Sequence, residues 1–296
     1  MSRALVATGM ELEYDTFGSP SDPTMLLVMG FTAQMISWPD SFCQMLADGG
    51  LHVVRFDNRD CGLSTKLDGV TVDLPAAMAA AMSGQPVADA PYTLSDMAAD
   101  AVGLLDHLGV ERAHILGASM GGMIVQTIAI EHPDRCLSMT SVMSMPGDPS
   151  VGQPAPEAAG ALLAPPPTSR DAYIEASTSS MIWHSKRYRD ADATKAQAAA
   201  NFDRSFYPQG APRQLVAIYA TGDRSGPLAE LTVPTLVIHG RDDTLISPSG
   251  GVRTAELIPG AHLLLLADMG HDLPEPLWPI ITAAVLSHTR SAVPVG

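Results

Sequence analysis

Cysteine is scarce in this chain: three in 296 residues, Cys43, Cys61 and Cys136, standing far apart. No CxxC pair occurs, the number is odd, and no Cys/His group has ligand spacing. Neither a disulfide framework nor a zinc site is expected, and three reduced thiols in a reducing compartment are the simpler reading. Basic residues are also few. Seventeen Lys and Arg against 32 Asp and Glu leave a formal net charge of -15. So acidic a protein is repelled by phosphate backbones and anionic membranes, which argues against nucleic acid as a partner. No apolar run is long enough to span a bilayer. Residues 1–18 lack the basic head and apolar stretch of a signal peptide. A cytoplasmic protein with no integral membrane segment is expected. Internal repeats are absent as well.

What the chain does have is apolar residues, 46% against 17% charged, enough to bury a large core. Its length suits one α/β domain carrying an insertion. Short apolar runs alternate with helical patterns, which predicts βαβ units and a mostly parallel sheet flanked by helices. Residues 11–17 alternate and predict an early antiparallel strand. Continuous runs predict buried strands at 25–29 and 51–56, and further strands at 113–116, 137–145, 235–239 and 261–266. Residues 93–108 predict a helix: Thr93 and Asp96 form a capping pair, and Leu94, Met97, Ala98, Ala101, Leu104, Leu105 and Leu108 share one face. Residues 120–131 and 276–287 predict two more. The Ala/Met-rich stretch 76–90 reads as a loop or short helix. The stretch 147–227 breaks the rhythm. It opens rich in Pro, Gly and Ala and continues with helical patterns, so it predicts a helical cap inserted into a core of residues 1–146 and 228–296.

Chemistry concentrates at Gly117-Ala118-Ser119-Met120-Gly121, with Gly122 following. This G-x-S-x-G sits between a predicted strand and a predicted helix, the context the motif needs. Ser119 must stand on a strained turn with its hydroxyl exposed at the sheet's C-terminal edge. Residues two before and two after it are crowded, so both must be small, and both are glycine. The helix from Met120 points its positive end at a developing oxyanion. A serine hydroxyl needs a neighbouring base, and the chain order for such a site is Ser, acid, His. Past the strand 235–239 comes Gly240-Arg241-Asp242-Asp243. Past 261–266 comes Asp268-Met269-Gly270-His271. Both lie where α/β sheets build their sites.

The segments Val28-Met29-Gly30-Phe31, residues 56–64 with their Asp57-Asn58-Arg59-Asp60 run, residues 117–122, 239–243 and Met269-Gly270-His271 together resemble the α/β-hydrolase superfamily, in its order. The Trp-Pro-Asp-x-Phe stretch at 38–42 and the Asp-Asn-Arg-Asp run resemble bacterial esterases of the aclacinomycin methylesterase type and their actinobacterial lipase and carboxylesterase relatives. The resemblance implies Ser119 as nucleophile, His271 as base and Asp243 as acid, three residues after Gly240, with Asp242 as the alternative. It implies an oxyanion hole from the backbone N–H groups of Phe31 and Met120. It implies two-step cleavage of a small-molecule ester, small or medium and apolar or a methyl ester, needing no metal or organic cofactor. Many superfamily members carry Arg-Gly where this chain has Arg59-Asp60, and Asp60 is free to pair with a nearby base.

The same machinery serves amide or peptide hydrolysis, as in proline iminopeptidases, and lactone hydrolysis, and the fold also serves as a non-catalytic receptor. Ser119 argues against the dehalogenases and epoxide hydrolases of this fold, which use Asp. Asp57 and Arg59 are expected to brace the strand-end loop. Cys61 and Ser64 read as structural, the histidines other than His271 as structural or surface residues, and His184 beside Trp183 in the cap as not touching substrate.

Overall fold

The computed structural model describes residues 2–292. Eight strands form one sheet: β1 (Ser2–Leu5), β2 (Glu11–Phe17), β3 (Thr24–Val28), β4 (His52–Phe56), β5 (Ala113–Ala118), β6 (Cys136–Val142), β7 (Thr235–Gly240) and β8 (His262–Leu266). Their order is β1-β2-β4-β3-β5-β6-β7-β8. β1 and β2 pair antiparallel, β2 also meets β4 antiparallel, and every pairing from β4 to β8 is parallel. The sequence reading missed β1, whose four residues are largely exposed and show no hydrophobic alternation.

Eleven α-helices among the described residues surround the sheet: α1 (Asp40–Asp48), α2 (Leu74–Met82), α3 (Leu94–His107), α4 (Met120–Glu131), α5 (Pro156–Leu163), α6 (Arg170–Ala176), α7 (Ala191–Arg204), α8 (Gly210–Thr221), α9 (Ser225–Ala229), α10 (Ser249–Leu257) and α11 (Trp278–Ala292). The central strands read as unbroken apolar runs because helices cover both faces. In β3, Leu26 and Val28 join the core under α3 and α4, while Met25 and Leu27 join the core under α1 and α11. The capping pair forms at α3, where the Asp96 carboxylate accepts the Thr93 N–H at 2.8 Å and its hydroxyl at 2.9 Å. The Ala/Met-rich stretch holds α2, whose first turn is capped by Asp73 accepting from Ala76 N–H at 2.9 Å. α1 escaped the sequence reading, although Pro39 and Asp40 begin it in a way common to helix starts.

The connection from β6 to β7 is helical and holds α5 to α9. Tyr173, Phe202 and Phe206 pack together with ring centroids 4.5 to 5.5 Å apart, Phe202 stacked on Phe206 and Tyr173 edge-on to Phe206. These aromatics therefore serve the connection's own packing. Ion pairs Arg170–Asp203 and Lys195–Glu175 join α6 to α7 on the outside. No helix among the described residues is long and apolar enough to cross a membrane.

Candidate active site

β5 ends at Ala118 and α4 begins at Met120, so Ser119 alone makes the turn. Its backbone is forced to φ 56° and ψ -121°, a region that costs a non-glycine residue of order 1–3 kcal/mol. Close packing holds it there. A Cβ on Gly117 would lie 2.0 Å from the Gly121 carbonyl oxygen, and one on Gly121 would lie 2.0 Å from the Val28 carbonyl oxygen in β3. Both glycines are thus required by backbone approach, the second by a neighbouring strand rather than by Gly117.

The C-terminal ends of β7 and β8 lie beside each other and deliver the other two groups. The Ser119 hydroxyl is 2.9 Å from His271 Nε2, and His271 Nδ1 is 2.8 Å from Asp243 Oδ2. An ionised carboxylate only accepts, so Nδ1 carries the proton and Nε2 is left to accept from the serine. Asp243 is buried, and its other oxygen accepts the Leu245 and Ile246 N–H groups, each at 2.9 Å. Burial by itself would raise this carboxyl. The adjacent His271 and His239 imidazoles override that and hold it at about 2, ionised at any neutral pH. Asp242 points elsewhere, toward Lys186 at 3.6 Å.

The two loops are bound to each other and to the β6–β7 connection. Asp242 N–H donates to the Met269 carbonyl at 2.9 Å, and Arg241 N–H to that of Leu266 at 2.9 Å. His271 N–H donates to the Trp183 carbonyl at 2.6 Å. Asp272 accepts Gly270 N–H and Ser185 N–H, both at 3.0 Å. Burial raises the Asp272 carboxyl to about 6. Burial and the neighbouring His271 lower His184 to about 4, so it is neutral near pH 7.

Gly30 packs on Ser119: a Cβ there would lie 3.0 Å from Ser119 Cβ and 3.5 Å from its hydroxyl oxygen. Phe31 follows directly, and Met120 opens α4, whose first N–H groups have no intrahelical partner. Among the described residues, neither the Phe31 nor the Met120 N–H has a hydrogen-bond partner.

Asp57 and Arg59 do brace the loop after β4. The Asp57 carboxylate accepts Met35 N–H at 2.7 Å and Leu63 N–H at 2.8 Å, and pairs with Arg204 at 2.7 Å. Arg59 grips Asp100 at 2.6 Å. Asp60 finds its base in Arg213 of α8, 153 residues away, at 2.7 and 2.8 Å. Cys61 donates to the Thr32 carbonyl at 3.2 Å, Ser64 donates to that of Asp57 at 2.6 Å, and burial pushes the Cys61 thiol up.

His239 is among the histidines expected to be structural or surface residues. It lies fully buried, with Nε2 donating to the Ile246 carbonyl at 2.8 Å and 3.3 Å from Asp243 Oδ2. Its adjacency to the acid motif was the signal that could have found it. Among the described residues, no group of three or more His, Cys, Asp or Glu side chains is gathered as a metal site would require.

Residues 23–275 match the family described as alpha/beta hydrolase fold. Rhodomycin D methylesterase DauP of a Streptomyces species is 28% identical over 98% of this chain and 99% of its own. The enol-lactonase of Burkholderia xenovorans superposes with a TM-score of 0.74 at 24% identity, covering 98% of this chain and 100% of the other. A meta-cleavage product hydrolase of Pseudomonas fluorescens superposes at 0.77 and 19%, over 99% and 98%. At such identities the structural likeness speaks for the fold alone. Sheet order, the strained serine turn and a match over most of its length agree: the chain belongs to the α/β-hydrolase fold family.

Proposed function

We propose that this protein is a serine hydrolase that cleaves carboxylic esters, with Ser119 as nucleophile, His271 as base and Asp243 as the acid that orients it. The observation that carries this is the unbroken run of hydrogen bonds from the Ser119 hydroxyl through His271 to an Asp243 carboxylate that is buried and held ionised. The methylesterase relative, similar along its whole length, supports an ester substrate and points to methyl esters of polyketide-like ring compounds.

In this reading Ser119 Oγ attacks the ester carbonyl while its proton passes to His271 Nε2. The carbonyl oxygen becomes an oxyanion held by the Phe31 and Met120 N–H groups, a contribution that grows as charge develops. The tetrahedral intermediate collapses, and the alcohol leaves with the proton from His271. Water then loses a proton to the same nitrogen, attacks the acyl-enzyme, and releases the acid and free Ser119. The β6–β7 connection, residues 147–227, acts as a cap over this site, with 1–146 and 228–296 as the core. The substrate is a small molecule. The net charge of -15 disfavours nucleic acid, and three buried, unpaired cysteines suit the cytoplasm.

Hydrolysis of p-nitrophenyl acetate and of an aromatic methyl ester by the wild type and by Ser119→Ala tests the reading. Turnover that falls by about 10⁴-fold or more in the variant supports it. Equal turnover by both proteins removes Ser119 from the role of nucleophile. Binding without turnover turns the assignment to a receptor, and faster cleavage of an anilide or lactone than of the ester turns it to those classes.

A further inference from the structure

The turn beside the nucleophile holds an unfavourable residue. Ala33 N–H donates to the Gly30 carbonyl at 3.3 Å, closing a β-turn over residues 30–33. Thr32, its third residue, has φ of 56°. Positive φ at that position favours Gly or Asn, and a β-branched residue is strained there. Something must hold it. The Thr32 N–H donates at 2.8 Å to the side-chain oxygen of Gln214, and the Thr32 carbonyl accepts the Cys61 thiol at 3.2 Å.

Gln214 is fully buried on α8 and is itself fixed. Its amide nitrogen donates to the Arg59 carbonyl at 3.0 Å, and Arg59 is locked onto Asp100. Both ends of the amide are used, which defines its orientation. Farther along, Gln34 donates to the Asn201 and Ser205 carbonyls at 2.7 and 2.9 Å and accepts from Arg204 at 2.7 Å. The segment that follows Phe31 is thus tied to the β6–β7 connection at two points, at Thr32 by α8 and at Gln34 by the end of α7.

We propose that Gln214 is a positioning residue: its side-chain oxygen keeps the 30–33 turn in the strained form that presents the Phe31 N–H beside Ser119. The proposal rests on the reading of Phe31 as an oxyanion donor. Without the Gln214 oxygen the turn relaxes, the N–H swings away, and the transition state loses part of a hydrogen bond that the bound ester hardly uses. The loss therefore falls on kcat more than on KM.

Gln214→Met has similar volume and no acceptor, while Gln214→Glu keeps an oxygen for the Thr32 N–H and, when protonated, a donor for Arg59. Each is made in the wild-type and in the Thr32→Gly background. Kinetics with p-nitrophenyl acetate are read beside amide hydrogen exchange of residues 30–34. Gln214→Met lowers kcat by about 10–100-fold, with KM within about threefold, and speeds exchange of the turn. Gln214→Glu regains most of the rate. In the Thr32→Gly background, where positive φ has no steric cost, Gln214→Met costs less than about fivefold. An unchanged kcat in folded Gln214→Met, or the same loss in both backgrounds, overturns the proposal. If the wild type hydrolyses no ester, the esterase reading fails by itself. Exchange then decides the clamp: faster exchange in Gln214→Met sustains it, and unchanged exchange overturns it.

Discussion

Arg213 grips Asp60 with two nitrogens, at 2.8 and 2.7 Å, across 153 residues of sequence and with both side chains buried. Tyr92 donates to the same carboxylate at 2.7 Å. Asp60 has φ of 63°, the left-handed region that glycine occupies most easily. Here the aspartate tolerates the backbone and gains a buried partner on α8.

Removing one member strands the other. Asp60→Gly relieves the backbone but leaves the Arg213 guanidinium buried without its carboxylate, and it should cost roughly 2–4 kcal/mol of stability in urea denaturation. Asp60→Gly with Arg213→Met should recover to within about 1 kcal/mol of the wild type. A single variant as stable as the wild type would show the pair to be dispensable.

The two adjacent carboxylates of the acid loop separate cleanly in kinetics. Asp243→Asn cannot accept the His271 Nδ1 proton as a carboxylate does, and should lower kcat by about 10³–10⁴-fold. Asp242 faces Lys186 at 3.6 Å, and Asp242→Asn should stay within about threefold of the wild type. A larger loss from Asp242→Asn than from Asp243→Asn would move the acid to Asp242.

Asp272 gives a pH signature. Its folded carboxyl is raised from 3.8 to about 6 by burial, so the folded state favours the protonated form. Its contribution to stability is present below about 4 and is lost as pH rises through about 6. Asp272→Asn keeps an oxygen for the Gly270 and Ser185 N–H groups and cannot ionise. The variant should match the wild type in stability below about pH 4 and exceed it by about 1–3 kcal/mol above about pH 7. Parallel stability curves across that window would refute the shift.

Glycines divide by what a methyl group would meet. Gly117→Ala and Gly121→Ala drive a Cβ to 2.0 Å from a backbone oxygen and should lower stability by about 3 kcal/mol or more, enough to lose the native fold. Gly160, exposed in α5, has nothing within 4 Å of its added Cβ, and Gly160→Ala should gain about 0.5–1 kcal/mol. Thermal unfolding of the three variants checks both signs, and a stable Gly121→Ala would mean that β3 yields to the helix.

Local patterns carried much of the fold. Five buried strands, the helices at α3, α4 and α11, and the serine turn were legible because each reflects contacts within a few residues or the burial of a whole run; the run at β8 was legible as a strand, but as the edge of the sheet it leaves Leu263 and Leu265 exposed. The boundaries shifted by a few residues: β6 ends at Val142 rather than 145, and α11 starts at Trp278 after a short 3₁₀ turn. β1 was not legible, since its pairing with β2 uses backbone groups that every residue has.

By itself the sequence determined most of the strands, the helices α3, α4 and α11, the small residues around Ser119, and the two loops from which an acid and a base could come. Tertiary structure alone decided which carboxylate reaches His271, that His239 shares it, that Asp60 pairs with Arg213, and that Gln214 holds Thr32 in a strained turn. The difference is physical. Steric and periodic rules act between near neighbours in the chain, so they leave a trace in the string of residues. A hydrogen bond between residues 182 positions apart, as from Thr32 to Gln214, depends on how α8 packs over the loop after β3. That packing emerges only when the whole core closes.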